Sequence, residues 1–225
     1  MLLRHFPLRL WWRHCQLEID MQRRHALHTL MVGASTIFAA SLLTACKPEA
    51  VSFDGVDITG AQYGQDFPLL DAQGQQRSVK EFAGKVVVVF FGYTQCPDVC
   101  PTTLQELVEA KALLGEQGHL LQGVFVSLDP ERDTPEVLRA YAAAFDPEMV
   151  ALTGNLAQIT AVAKDFKVFF KKVEGRQPGS YTLDHSAGLY MYDPQGNLRV
   201  YQRYGQGPQA LAKDAKALLD SAQNV

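Results

Sequence analysis

Cys96 and Cys100, in the stretch Cys96-Pro97-Asp98-Val99-Cys100-Pro101, are the residues of this chain best placed to do chemistry. A thiolate is both the form that attacks disulfides and the form that holds soft metals, so the pair suits either role. Pro101 has no amide hydrogen and fits the first position of a helix, with Cys100 as its cap. Both sulfurs are then expected at a helix N-terminus, where the dipole and free amides favour thiolate and lower its pKa. Three intervening residues still permit a disulfide, and they widen the bite for an ion held between two sulfurs. Two cysteines alone make an incomplete metal site; a third ligand is wanted.

The elements that must position the pair are written as runs. Lys85–Thr94 (KVVVVFFGYT) is continuous in β-branched and aromatic residues, the pattern of a strand buried on both faces. Pro101–Gly115 follows as a helix with Leu104, Leu107, Val108 and Leu114 on one side and a glycine stop. Leu121–Leu128 is a second buried strand, and Thr134-Pro135 opens a helix through Phe145 with Thr at the cap. A further helix is expected over Asn155–Phe166, a hairpin over Gly188–Tyr204 around Asp193-Pro194-Gln195-Gly196-Asn197, and a closing amphipathic helix over Pro208–Ala222. This order predicts an α/β fold. A central mixed β-sheet carries helices on both faces and a β-hairpin in the C-terminal half.

With 225 residues, 47% hydrophobic and 20% charged, the chain holds enough sequence for one domain with a real core; a mostly disordered, collagen-like or polytopic membrane chain is excluded. Charge is uneven: residues 1–45 carry five Arg against Glu18 and Asp20, a net +3, so the rest is −6. An acidic body with no basic stripe argues against nucleic-acid binding. The first segment reads as export machinery. Arg23 and Arg24 precede an uncharged run, Thr29–Ala45, ending Leu43-Thr44-Ala45-Cys46, with small residues before the cut. That ending resembles a bacterial lipoprotein signal, in which Cys46 is lipidated and becomes residue one; the competing reading is an uncleaved anchor, though 17 residues fall short of a full span. Met21 gives a more compact n-region than Met1, so translation is suspected to begin there. The expected organisation is therefore a signal region at 1–45, a lipidated tether at 46–60 and one domain at 61–225.

Cys15 leaves with the leader and Cys46 goes to lipid, which leaves Cys96 and Cys100 in an oxidising compartment with a local task. Of the six His, four lie in the leader, leaving His119 and His185. His119, between Gly118 and Leu120, reads as a solvated turn residue. His185, in Leu183-Asp184-His185-Ser186, is either the third metal ligand or a strand cap hydrogen-bonded to Asp184; the residues alone leave that choice open.

The stretch Phe91-Gly92-Tyr93-Thr94-Gln95-Cys96-Pro97-Asp98-Val99-Cys100-Pro101 resembles the signature of the Sco/SenC family of copper proteins. So do Ser127-Leu128-Asp129-Pro130-Glu131-Arg132-Asp133-Thr134, then Leu152-Thr153-Gly154 and Asp184-His185, in the family's order over roughly 61–225. The resemblance implies a thioredoxin-like fold in the bacterial cell envelope, facing the periplasm or exterior. It implies one copper ion, Cu(I) or Cu(II), held by Cys96, Cys100 and His185. It also implies a metallochaperone role in building the dinuclear copper centre of cytochrome c oxidase, with subunit II or another copper-accepting envelope protein as partner. Gln95 stands where many members have His. Asp184 is a candidate for supporting the site from behind the ligands or as a weak extra ligand, against the plainer reading of a strand-end acid, and the acids of Asp129–Asp133 are read as structural. The competing function is a membrane-anchored thiol–disulfide oxidoreductase that reduces cysteines of an oxidase subunit; it needs Cys96 and Cys100 but not His185. A peroxidase of the peroxiredoxin type fits poorly, because Thr94 sits two rather than three residues before Cys96. A structural zinc site is disfavoured, since those close with four protein ligands.

Overall fold

The computed structural model describes residues 51–223. The signal region, the suspected start at Met21, the Thr29–Ala45 run and Cys46 lie outside the described residues. In chain order the strands are β1 (Val56–Asp57), β2 (Leu69–Asp71), β3 (Gln76–Arg77), β4 (Val86–Gly92), β5 (Leu121–Ser127), β6 (Val150–Thr153), β7 (Phe170–Glu174), β8 (Tyr181–His185), β9 (Leu189–Tyr192) and β10 (Leu198–Gln202). The α-helices are α1 (Val99–Leu113), α2 (Pro135–Phe145), α3 (Leu156–Asp165) and α4 (Gly207–Gln223).

Every residue of β4 and β5 is buried, as their unbroken apolar runs require, and the two lie side by side in parallel at the middle of an eight-stranded sheet. The sheet runs β1-β10-β9-β4-β5-β6-β2-β3, with β5 also parallel to β6 and the other pairings antiparallel. Strands buried on both faces need two covering layers. The pleat sends Phe90 toward Phe125, which meets Tyr141 of α2 with ring centroids 5.5 Å apart. Phe91 points the other way, to Phe166 at the end of α3 at 5.0 Å. Right-handed crossovers stepping the same way through β4, β5 and β6 put α1 and α2 on one face, and α4 packs beside α1. This is the thioredoxin-like mixed sheet expected, with helices on both faces.

Local signals act where they were read. Thr134 caps α2 by accepting from Val137 N, with Pro135 first in the helix, and Asn155 and Gln158 close a capping box on α3. The β9–β10 hairpin turns on Asp193, whose buried carboxylate accepts from the amides of Gln195 and Asn197. Two features differ from expectation. First, β7 and β8 form a separate two-stranded antiparallel sheet before that hairpin, and it carries His185. Its residues are mostly exposed and polar, so they show no alternation to read. Second, the stretch expected as tether up to residue 60 joins the fold. Val56–Asp57 pairs with β10, and buried Asp214 of α4 accepts from the amides of Asp54 and Gly55 at 2.7 and 2.8 Å. A two-residue edge strand pinned by one distant carboxylate has no sequence period.

Candidate metal centre

The cysteine loop leaves the buried end of β4 and turns directly into α1. The helix begins at Val99 with Asp98 as its N-cap, two residues earlier than expected, so Cys100 is its second residue and Pro101 its third. Pro101 is tolerated because the amides of the first turn have no partner within the helix; the first such bond runs from Thr102 N to Asp98 O at 3.2 Å. The Cys100 amide points instead at Cys96 Sγ, 3.5 Å away. Cys96 is half-buried, Cys100 fully buried, and both are free thiols.

That burial corrects one expectation. The helix terminus was expected to lower the thiol pKa, whereas loss of solvent around Cys100 pushes its thiol up, beyond what a backbone hydrogen bond at Tyr93 offsets. Gly92 makes the burial possible. A Cβ there would stand 2.8 Å from Cys100 Sγ and 2.9 Å from the Phe125 ring, so the helix start can sit on the strand end only if this residue has no side chain.

His185 ends β8, opposite Phe170 of β7. Its Nδ1 is 2.9 Å from the Ser186 carbonyl oxygen, which can only accept, so Nδ1 carries the hydrogen. Nε2 is thereby left with its lone pair, and it lies 3.5 Å from Cys100 Sγ, where a neutral thiol donates to it. The ring stands edge-on to Phe90 and Tyr93, with centroids 6.2 and 5.9 Å away. Burial lowers the imidazole pKa, opposed by the Ser186 carbonyl and the Asp184 charge, so the ring is neutral and ready to ligate. One ligand atom from each of Cys96, Cys100 and His185 lies within 4.8 Å of the others; among the described residues no other cluster of this kind occurs. The partner of His185 is the Ser186 carbonyl, in place of the Asp184 side chain that the capping reading supposed. Asp184 itself is exposed and outside the cluster, and His119 is exposed with Nδ1 on Glu116 O. Two sulfurs and one imidazole, with no carboxylate among them, select a soft ion and leave a coordination position open.

The acid-rich loop after β5 braces this centre. Asp133, 1% exposed, accepts from Thr94 Oγ1 at 2.6 Å, Ser127 Oγ at 2.7 Å and Thr94 N at 3.1 Å, fixing the cysteine loop two residues before Cys96. Burial raises its carboxyl pKa against those hydrogen bonds. Asp129, also buried, accepts from Arg132 and from the Tyr181 hydroxyl. The roles of Gly92, Asp133 and Ser186 were missed from sequence; Gly92 and Asp133 stood inside quoted motifs, but nothing local says what they touch.

Comparison with known proteins places this geometry. The sequence model described as SCO1/SenC matches residues 56–220. A SCO2-like protein of Rickettsia felis is 36% identical over 191 residues, covering 84% of this chain and 92% of its own. Among solved structures, Bradyrhizobium japonicum ScoI with copper bound is 38% identical with a TM-score of 0.60, covering 67% of this chain and 96% of that one. Apo Sco1 from Thermus thermophilus is 36% identical with a TM-score of 0.66, covering 76% and 99%.

Proposed function

The chain belongs to the SCO1/SenC family, and from that premise we propose that it is a copper metallochaperone. It carries one copper ion on Cys96, Cys100 and His185 and assists assembly of the dinuclear copper centre of cytochrome c oxidase. The observation that carries this reading is the convergence of the three ligand atoms within 4.8 Å, from a helix start and a strand end far apart in sequence. The thiolates favour Cu(I), and the mixed sulfur–nitrogen set also accommodates Cu(II). Three protein ligands leave room for an acceptor's ligand to enter as the ion is handed over. The acceptor is an envelope protein with its own copper site, cytochrome c oxidase subunit II foremost. The domain works at a membrane surface, tethered through a lipidated Cys46 and facing the periplasm or exterior.

The deciding experiment is a copper titration of the reduced protein beside His185→Ala, followed by absorbance and paramagnetic resonance. One equivalent with sulfur-to-copper charge transfer is expected for the native chain. The variant should weaken binding by more than the roughly 10–100-fold that loss of an outer hydrogen-bond partner costs, with the disulfide still able to form. A variant that binds copper as the native chain does would remove His185 from the site.

One observation favours a second, compatible reading. Cys96 is half-exposed with an amide aimed at its sulfur, while Cys100 waits buried behind it. That is the arrangement of an attacking thiol and a resolving one, suited to reducing an acceptor's cysteines before copper arrives.

A further inference from the structure

We propose that Arg132 is a positioning residue for this centre, holding the cysteine loop, through Gln95, against the strand that carries His185; the inference rests on the copper-binding reading above. The ligands come from two bodies with no shared ladder. Cys96 and Cys100 follow β4 of the main sheet, whereas His185 ends β8, which pairs only with β7 in its own small sheet. The ladder between β4 and β9 brings the two segments to one end of the sheet, with Phe90 opposite Leu189, but β8 takes no part in it, so the ladder does not itself fix the distance between sulfur and imidazole. Side-chain contacts must.

One guanidinium spans the gap. Arg132 Nη1 donates to Gln95 Oε1 at 3.1 Å and to the Tyr181 carbonyl at 2.9 Å. Gln95 directly precedes Cys96, and Tyr181 is the first residue of the strand that His185 ends. The guanidinium lies 3.5 Å from the centroid of the Tyr181 ring and 5.7 Å from that of Tyr93. Nε donates to Asp129 Oδ2 at 2.5 Å, and the other oxygen of that buried carboxylate accepts from the Tyr181 hydroxyl at 2.7 Å. Arg132 and Tyr181 are thus locked as a pair, with Gln95 as the arm that reaches the cysteine loop. A planar fork with donors in fixed directions does this; a lysine ammonium, a compact point charge, does not. Arg132 Nη2 is buried without a hydrogen-bond partner among the described residues.

The test uses the purified full chain, reduced, as native protein, Arg132→Lys, Gln95→Ala and the double variant. Each is titrated with copper and followed by paramagnetic resonance and the charge-transfer band, beside thermal unfolding of the metal-free form. Arg132→Lys should weaken copper binding about tenfold or more and change the copper spectrum. Gln95→Ala, at an exposed position, should show part of the same spectral change with an unaltered unfolding midpoint. The double variant should bind no more weakly than Arg132→Lys alone, because both act through one contact. Native affinity and spectrum in Arg132→Lys, or losses that simply add, would overturn the proposal. If Arg132→Lys does not fold, Gln95→Ala decides, and a native spectrum there overturns it. A native chain that takes up no copper would overturn the metal reading itself, a separate result from a native chain that binds and variants that match it.

Discussion

Cys100 makes copper loading a proton exchange. Its buried thiol is held protonated by lack of solvent, so an entering ion must expel that proton before sulfur can bind. His185 has the opposite shift, with burial keeping it neutral, and near neutral pH it offers its lone pair without releasing a proton. The sign follows: the metal-free form holds the extra proton, so raising the pH favours the loaded form. Apparent copper affinity should rise by at least about tenfold per pH unit between about pH 6 and pH 8, as one or more protons leave per ion. Competition titrations against a chelator of known pH dependence measure this, and a flat profile would mean that Cys100 is not a ligand in thiolate form. The residue types at the centre were legible in the sequence, because soft donors are few once the leader is set aside. Their protonation was not. Burial decided it, and the helix dipole, which a local reading sees, lost to desolvation, which it does not.

The elements that carry the centre divide into those a local pattern specifies and those it cannot. β4, α1, β5 and α2 were written as apolar runs, caps and proline positions, and each formed within a few residues of its expected bounds. The β7–β8 ribbon went unread because its burial is slight and its position depends on contacts with other segments. The joint between β4 and α1 is the tightest, and Gly92 tests it. Gly92→Ala would thrust a methyl to within 2.8 Å of Cys100 Sγ, 2.9 Å of Phe125 and 3.1 Å of Phe90, none of which has slack in a packed core. Overpacking of this kind costs about 1–3 kcal/mol, and here relief would move the sulfur. Denaturant unfolding should show that loss and copper titration a weaker site. Native stability and affinity together would mean that α1 has room to shift.

At the scale of the whole molecule, the sheet places β9 and β5 on either side of β4, so the loops at the end of β4 and before β9 share one end of the fold. Cys96 and Cys100 stand on the first of those loops and its helix, and His185 begins the second. The N-terminal stretch is drawn into the same body by β1 and the Asp214 clamp, which fixes where a tether would leave the domain. Among the described residues no helix is long and apolar enough to cross a membrane. The proposed anchoring rests on what precedes residue 51. On the proposed lipidation, Cys46→Ser should move the protein from the membrane to the soluble fraction on cell fractionation, since it would remove the acyl chains that anchor it. Persistence in the membrane fraction would identify the Thr29–Ala45 run as an uncleaved anchor.

What the sequence by itself determined was the pair of sulfur donors and the framework that holds them, with His185 named as a ligand only through the family resemblance. A buried strand, a helix that begins near a proline and two cysteines with three residues between them are local facts, each set by hydrophobic period, backbone restriction or sulfur chemistry. Tertiary structure alone decided that His185 turns Nε2 to the sulfurs while Ser186 takes Nδ1, that Asp133 holds Thr94 of the cysteine loop, and that Arg132 reaches Gln95. Apart from the His185–Ser186 pair of neighbours, these are contacts between segments tens of residues apart. Such a contact depends on distance and burial, and those exist only once the chain has closed around its core.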